Sequence, residues 1–113
     1  MSIPVELAAL RDHVLRCGSG ALLVTTATGG APHVASVVVS FDGSALAMRV
    51  GNTTRANAAE HPAVALVWAA GPTEGHCLIV DAVARATPTP SHTLVVEPTS
   101  AVLHRLAGAP TGS

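Results

Sequence analysis

Short apolar segments rich in valine and alanine, separated by turn sequences, most strongly limit what this chain can fold into. Seven of them are predicted to be strands: 21–27, 32–40, 44–50, 63–69, 76–87, 91–97 and 100–106. Asp42-Gly43, between two such segments, is typical of a tight β-hairpin. Because hairpins join antiparallel strands, and short strands at regular spacing are typical of closed or double-layered β folds, the pattern predicts a barrel or sandwich rather than βαβ units.

Two segments are predicted to be helices. Residues 3–17 carry a roughly helical apolar stripe, with Ser2 placed to cap the helix and Pro4 in its first turn. A shorter helix is predicted over residues 54–60, ending before Pro62. The chain is therefore expected to be mainly β with short helices.

The scarcity of charge bears on how the surface is covered. The 113 residues fit one domain, predicted over residues 1–107, with residues 108–113 as a disordered tail. Hydrophobic residues make up 49% of the chain and charged residues only 12%, against about 25% in a typical soluble domain. We therefore expect part of the apolar surface to be buried against a second copy of the chain, giving a homodimer.

Composition also argues against several classes of partner. The net charge is −1, lysine is absent, and Phe41 and Trp68 are the only aromatic residues, so the basic stripe and stacking rings of a nucleic-acid binder are missing. No apolar run approaches the roughly 18–20 residues of a membrane span, and no secretory signal is recognised. A cytoplasmic protein is expected, with Cys17 and Cys77 as free thiols.

The sequence contains no recognisable catalytic motif. Neither the Gly-x-Ser-x-Gly elbow nor a phosphate-binding glycine loop is present, and no pair of carboxylates is placed for acid–base work. His13 and Cys17 are four residues apart on a predicted helix, but no third ligand lies nearby, and a closed zinc site needs four. No metal site and no catalytic residue is predicted, so any chemistry would have to come from a cofactor.

The best chemical candidate is the turn from the third predicted strand into the short helix. Gly51 permits a sharp turn there, and the N-terminus of a helix offers free N–H groups and a partial positive charge. Short polar side chains and one guanidinium follow at once: Asn52, Thr53, Thr54 and Arg55. These groups suit a phosphate, and Arg49 on the preceding strand could add a second cation.

A structural interpretation of the same residues stays open. Thr53 could simply cap the helix, Arg55 could be a solvated charge, and Arg49 a surface residue of its strand.

Four stretches, taken in order, resemble a known family. The first is residues 21–34, where an apolar strand leads through Thr28-Gly29-Gly30-Ala31 into Pro32-His33-Val34; the others are residues 52–66, 78–84 and 95–105. Together they are similar to small actinobacterial members of the pyridoxamine 5'-phosphate oxidase-like, FMN-binding split-barrel superfamily.

This resemblance implies a six-stranded antiparallel split β-barrel that forms a homodimer, with FMN, or in some branches deazaflavin or haem, in a groove at the interface. It implies a flavin (FMN)-dependent oxidoreductase of unknown substrate. The alternative is a non-enzymatic split-barrel dimer, either cofactor-free or binding a small ligand such as deazaflavin or haem.

The resemblance also assigns cofactor-binding residues. The flavin ring would lie against the second and third strands and the one tryptophan, at Ser36, Val37, Val38, Met48 and Trp68. The phosphate would lie at Arg49, Asn52, Thr53, Thr54 and Arg55. The valines also fit a barrel core.

The chain departs from the family's pattern in its cations. The two adjacent cations that precede this helix in the flavin oxidases fall on Thr53 and Thr54. The Arg and Lys that bracket the second strand are replaced by Val34 or Ala35 and by Ser40. Oxidation of pyridoxamine phosphate itself is therefore not expected, because its substrate phosphate also needs cations.

Overall fold

The computed structural model describes residues 2–70, 75–85 and 92–108. In chain order the elements are β1 (Ser2–Pro4), a 3-10 turn (Leu7–Ala9), α1 (Leu10–Cys17), β2 (Gly20–Thr26), β3 (Pro32–Asp42), β4 (Ala45–Arg49), α2 (Asn52–Glu60), β5 (Ala63–Trp68), β6 (His76–Arg85) and β7 (Thr93–Arg105). Apart from Gly108, the predicted tail lies outside the described residues, as do the last two residues of the fifth predicted strand and the first of the sixth.

The strands form one antiparallel sheet that closes on itself. Their order is β1-β7-β4-β3-β2-β5-β6, and β6 also pairs with β7. Six strands therefore form a closed barrel, with β1 added beside β7. This confirms the predicted six-stranded antiparallel barrel with short helices.

The core fills the barrel because side chains alternate along each strand. In β2, the buried residues Ala21, Leu23 and Thr25 alternate with more exposed ones, as expected for a strand with one face inward. The side chains with no exposed surface come from five different strands: Leu23, Leu46, Leu66, Leu78, Val80 and Val96.

The N-terminal helix begins later than predicted. Ser2–Pro4 is a strand paired with residues 102–104 of β7, and the Val5 N–H donates to the Ala101 carbonyl at 2.9 Å. The α-helix starts only at Leu10, after the 3-10 turn. The prediction from residue 3 was wrong because the backbone of β7 extends past β4 and pairs with this segment, outweighing the local helical pattern.

The prediction of two strands separated by Pro98 was also wrong. β7 runs without a break, because a bulge accommodates the proline: Ala82 pairs with Pro98 and Asp81 with Ser100, so Thr99 has no partner on β6. Pro98 also lies between the part of β7 that pairs with β4 and the part that pairs with β1. Bulges and one-sided positions tolerate a residue without an N–H.

The gap between β4 and β1 along β7 is the split of the barrel. The 3-10 turn packs against β7 near it, and Leu10 and Val14 of α1 contribute to the core. Neither helix in the described residues has the length and apolar character needed to cross a membrane.

Candidate functional site

An open groove of about 880 Å³ runs along the outside of the barrel over β2, β3 and β5. Its lining is formed by Gly20, Ala21, Leu22, Ser36, Val37, Val38, Arg49, Val67, Ala69 and Ala70. Apart from the Ser36 hydroxyl and the Arg49 guanidinium, the described side chains here are apolar or absent. Concave, mostly apolar surfaces with a few polar groups are typical of small-molecule sites.

Strand register produces this surface. Leu22 lies opposite Ser36 on β3 and opposite Val67 on β5, so these three side chains share the outward face. Gly20 lies opposite Val38, and nothing lies within 4 Å of the position where a Cβ on Gly20 would stand. The missing side chain leaves room for a ligand to approach the sheet.

Arg49 supplies the charge of the groove. It is the last residue of β4 and is exposed. Within the part of the chain that the structure describes, no carboxylate lies within ion-pair distance of its guanidinium. Among the described residues, the groove therefore combines an apolar surface with one cation that has no carboxylate partner.

The helix α2 starts three residues beyond Arg49, two residues earlier than predicted. Gly51 is its N-cap and makes no side-chain capping bond, so Thr53 lies inside the helix rather than capping it. Asn52 and Thr53 are exposed, and Arg55 is half-buried. The backbone N–H of Arg55 donates to the Gly51 carbonyl at 3.0 Å. Because Gly51 has no side chain, it accepts no side-chain capping hydrogen bond from the first backbone N–H groups of α2.

Thr54 faces inward and is only 4% exposed. Its Oγ1 shares a hydrogen bond of 3.3 Å with Nε2 of His33 on β3. One turn further along, Nδ2 of Asn57 donates to Oγ1 of Thr25 on β2, also at 3.3 Å. These two bonds join α2 to strands β3 and β2 of the barrel. Thr54 therefore helps to hold the helix in place.

Met48 and Trp68 lie in the core, 3% and 1% exposed. The Trp68 indole Nε1 donates to the Gly18 carbonyl at 3.0 Å, while its neighbours Val67 and Ala69 line the groove. The structure thus brings four of the predicted residues together at the groove, Ser36, Val37, Val38 and Arg49. Four more lie on α2, and Met48 and Trp68 are in the core, to which the buried side chain of Val37 also belongs.

Sequence reasoning missed the contribution of β2 and β5. Gly20, Leu22 and Val67 line the groove but were not among the predicted residues. The alternation of residues 20–26 could have placed Leu22 outward, whereas only the register of the folded sheet places Val67 beside it.

His13 and Cys17, considered above as metal ligands, do not line the groove. Within the described residues, no three histidine, cysteine or acidic side chains cluster as metal ligands. His13 instead lies 3.4 Å from the Arg16 guanidinium, and Cys17 and Cys77 are both free thiols.

Solved structures show where this architecture occurs. A provisionally assigned pyridoxamine 5'-phosphate oxidase from Listeria innocua is 16% identical with a TM-score of 0.62, covering 86% of this chain and 93% of its own. An FAD-binding protein from Mycobacterium smegmatis is 17% identical with a TM-score of 0.59, covering 93% of this chain and 100% of its own. The chain has the split-barrel fold of these proteins.

An F420 reductase shares the split barrel too. It is 18% identical with a TM-score of 0.57, over 73% of this chain and 87% of that one. No protein-family model and no curated protein matches the sequence.

Proposed function

We propose that the groove binds a flavin-type cofactor, FMN or a deazaflavin, and that the protein is an oxidoreductase acting on a small molecule. The observation that carries this proposal is the apolar groove of about 880 Å³ lined also by Arg49, which has no ion-pair partner among the described residues. A tricyclic ring with a charged tail matches that division into an apolar surface and one cation. The names of two proteins with the same fold, an F420 reductase and an FAD-binding protein, support the choice of cofactor class.

Each part of the groove has a role in this proposal. Leu22, Val38 and Val67 would contact the apolar ring, and the Ser36 hydroxyl would hydrogen-bond to a ring heteroatom. Arg49 would bind the charged tail as a bidentate donor. A bound flavin would supply the hydride chemistry, since the protein residues here only bind and orient.

The start of α2 would extend the anion site. Asn52 and Thr53 are exposed in its first turn, and Arg55 is half-buried within it. Free N–H groups at a helix N-terminus favour a phosphate. Among the described residues, Arg49 and Arg55 are the cations placed for the tail, and so small a number argues for modest FMN affinity.

The groove supports a second candidate function. Within the described residues its lining holds no histidine, cysteine or carboxylate that could act as a general acid or base. A split-barrel dimer that carries a small ligand, such as a deazaflavin or haem, without catalysing a reaction would need only the apolar surface and Arg49.

Ligand titration tests the binding proposal. FMN, F420 and haem are each titrated into the purified protein, following the fluorescence of Trp68, the only tryptophan, which adjoins groove residues. We expect a flavin or deazaflavin to quench it, and Arg49→Gln to weaken binding about tenfold, the scale of a charge-assisted hydrogen bond. Arg105→Gln, an exposed arginine that does not line the groove, should bind as the unmodified protein does. Absence of quenching by all three ligands would contradict the proposal.

A reduction assay then separates the enzyme from the carrier. The protein loaded with its flavin is mixed anaerobically with a nicotinamide reductant. Bleaching of the flavin absorbance faster than for the free cofactor supports the oxidoreductase. Equal rates support the carrier.

We further propose that the protein is a homodimer in the cytoplasm. On the outer face of β3, Val34 is 56% exposed and Val38 is 70% exposed, beside Leu22 on β2. A second copy covering these side chains would also deepen the groove they border. The two free thiols fit a reducing compartment.

A further inference from the structure

A second cavity, of about 420 Å³, lies beside the split of the barrel. The 3-10 turn and α1 form one side of it, the β3–β4 hairpin another, and the bulged part of β7 a third. Its principal lining residues are Leu7, Leu10, Arg11, Phe41, Glu97 and Pro98, none of which borders the groove. We call this cavity the split pocket.

The walls of the split pocket are largely apolar. Leu7 is 46% exposed although it sits among apolar neighbours, and Phe41, the only phenylalanine of the chain, is half-buried. Leu10 and Pro98 complete the apolar surface. An incompletely covered leucine and a phenylalanine ring offer favourable burial to an apolar ligand.

Arg11 places a positive charge against this apolar wall. Its guanidinium carbon lies 4.7 Å from the centre of the Phe41 ring, a cation–π contact. That contact uses the charge of the guanidinium but none of its N–H groups. Within the described ranges, no carboxylate lies within ion-pair distance of Arg11, so a planar donor pair remains for a ligand.

Glu97, the acidic residue among the described lining of the split pocket, does not cancel this charge. It forms an ion pair with Arg85, which lies diagonally across the β6–β7 ladder, two residues along β6 from Val83, the direct partner of Glu97. With that pair neutral, the remaining charge among the described lining residues is that of Arg11. The pocket therefore favours an anion over a neutral or cationic ligand.

We propose that the split pocket binds a small monocarboxylate with an apolar body, such as an aromatic or short-chain acid. The carboxylate accepts two hydrogen bonds from Arg11, and the apolar body packs against Leu7 and Phe41. The volume is within the roughly 300–1,000 Å³ of small-molecule sites. This site is separate from the groove, and the proposal does not depend on the proposed oxidoreductase function.

A matched pair of ligands tests the proposal. 2-Naphthoate and its uncharged counterpart 2-naphthalenemethanol are titrated into the ¹⁵N-labelled protein and followed by the backbone amide shifts. We expect naphthoate to bind at least about tenfold more tightly, because only it can accept from Arg11. The shifts should concentrate at residues 7–11, 41–44 and 97. Equal affinities, no binding at millimolar ligand, or shifts centred on residues 20–22 and 36–38 would each overturn the proposal.

Variants distinguish the pocket from general attraction to a cation. Arg11→Gln should reduce naphthoate affinity to that of the alcohol, and Leu7→Asp should weaken both ligands. Arg16→Gln is the control, because Arg16 is exposed on the same helix, contacts His13 and does not line the pocket. Circular dichroism confirms that each variant is folded. A folded Arg11→Gln protein with unchanged naphthoate affinity would overturn the proposal.

Discussion

Cys17 ends α1 with its side chain partly buried against the core. Burial raises the pKa of its thiol above the ordinary value, and the neighbouring Arg16 guanidinium opposes that rise. A raised folded-state pKa means that the unfolded chain loses this proton first. The contribution of Cys17 to stability is therefore full below the ordinary thiol pKa of about 8.5 and declines as the pH rises past it.

The reactivity of Cys17 gives a prediction at this scale. The rate of its alkylation by iodoacetamide, followed by mass spectrometry of its peptide, should reach half-maximum at a higher pH than for free cysteine, because the thiolate is the nucleophile. Arg16→Gln should raise the midpoint further by removing the opposing charge. Arg105→Gln should leave it unchanged. A midpoint at or below that of free cysteine would show that the thiol is not desolvated.

Individual residues also show where the sequence ceases to predict the site. Arg49 could be chosen from the sequence because a turn from a strand into a helix has a local signature, whereas Val38 was assigned through the family resemblance. Whether Trp68 or its neighbour Val67 faces the core cannot be derived from the run of eight apolar residues at 63–70, since both fit either face. The register of β5 decides it, and the bond from the indole to Gly18 completes the burial of Trp68.

At the scale of the element, the bulge in β7 changes which side chains face the core. Before it, Leu94 and Val96 are buried, and after it Ala101 and Leu103 are buried. The inward positions thus change from even to odd numbers, and Thr99 is the extra residue that makes this possible. The Thr99 hydroxyl donates to the Asp81 carbonyl at 3.1 Å, which helps hold the bulge.

Deletion of Val102, beyond the bulge, should destabilise the barrel far more than deletion of Thr99. Loss of Val102 turns Leu103 outward, because a shift of one residue reverses every side chain that follows it. Without Thr99, in contrast, Ser100 follows Pro98 directly and still pairs with Asp81, so Ala101 and Leu103 stay inward. Measured by circular dichroism, the thermal transition should be retained in the Thr99 deletion and shifted to much lower temperature in the Val102 deletion. Loss of the transition in the Thr99 deletion would contradict its role as the extra residue.

The same bulge explains one failure of prediction from sequence. In the sequence, the apolar positions change from even to odd numbers next to Pro98, which indicates a break between two strands. The pairing with β6 on both sides of Pro98 shows instead that the strand is continuous. The start of α1 failed for a similar reason, since β7 pairs with Ser2–Pro4. Elements whose partners are close in sequence, such as the β3–β4 hairpin at Gly43, were predicted well, because the turn residue and the alternation are local signals.

At the scale of the whole molecule, the low charge of the chain and the exposed valines of β3 both point to one apolar surface. Charged residues are 12% of the chain, and Arg49 is the only one among the described residues that line the groove. A surface with so few charges gains stability when a second copy excludes water from it. The sequence predicted association from composition, and the family resemblance placed the surface on the outer faces of the barrel near the second, third and fifth predicted strands.

Sedimentation equilibrium tests the dimer. We expect a mass near twice that of the 11.3 kDa chain, and Val38→Asp should shift it towards the single-chain mass because an unpaired carboxylate would be buried at the interface. Leu106→Asp is the control, since Leu106 is also an exposed apolar residue but lies after β7. A single-chain mass for the unmodified protein would refute the homodimer.

The position of β7 in the barrel also has a consequence for synthesis on the ribosome. β7 pairs with β1, β4 and β6. One edge of each of these three strands therefore stays unpaired until residues 93–105 have been synthesised. Until that segment emerges, the nascent chain displays open backbone edges that can pair with other chains. A pause in translation before residues 93–105 emerge therefore exposes the chain to aggregation through these edges.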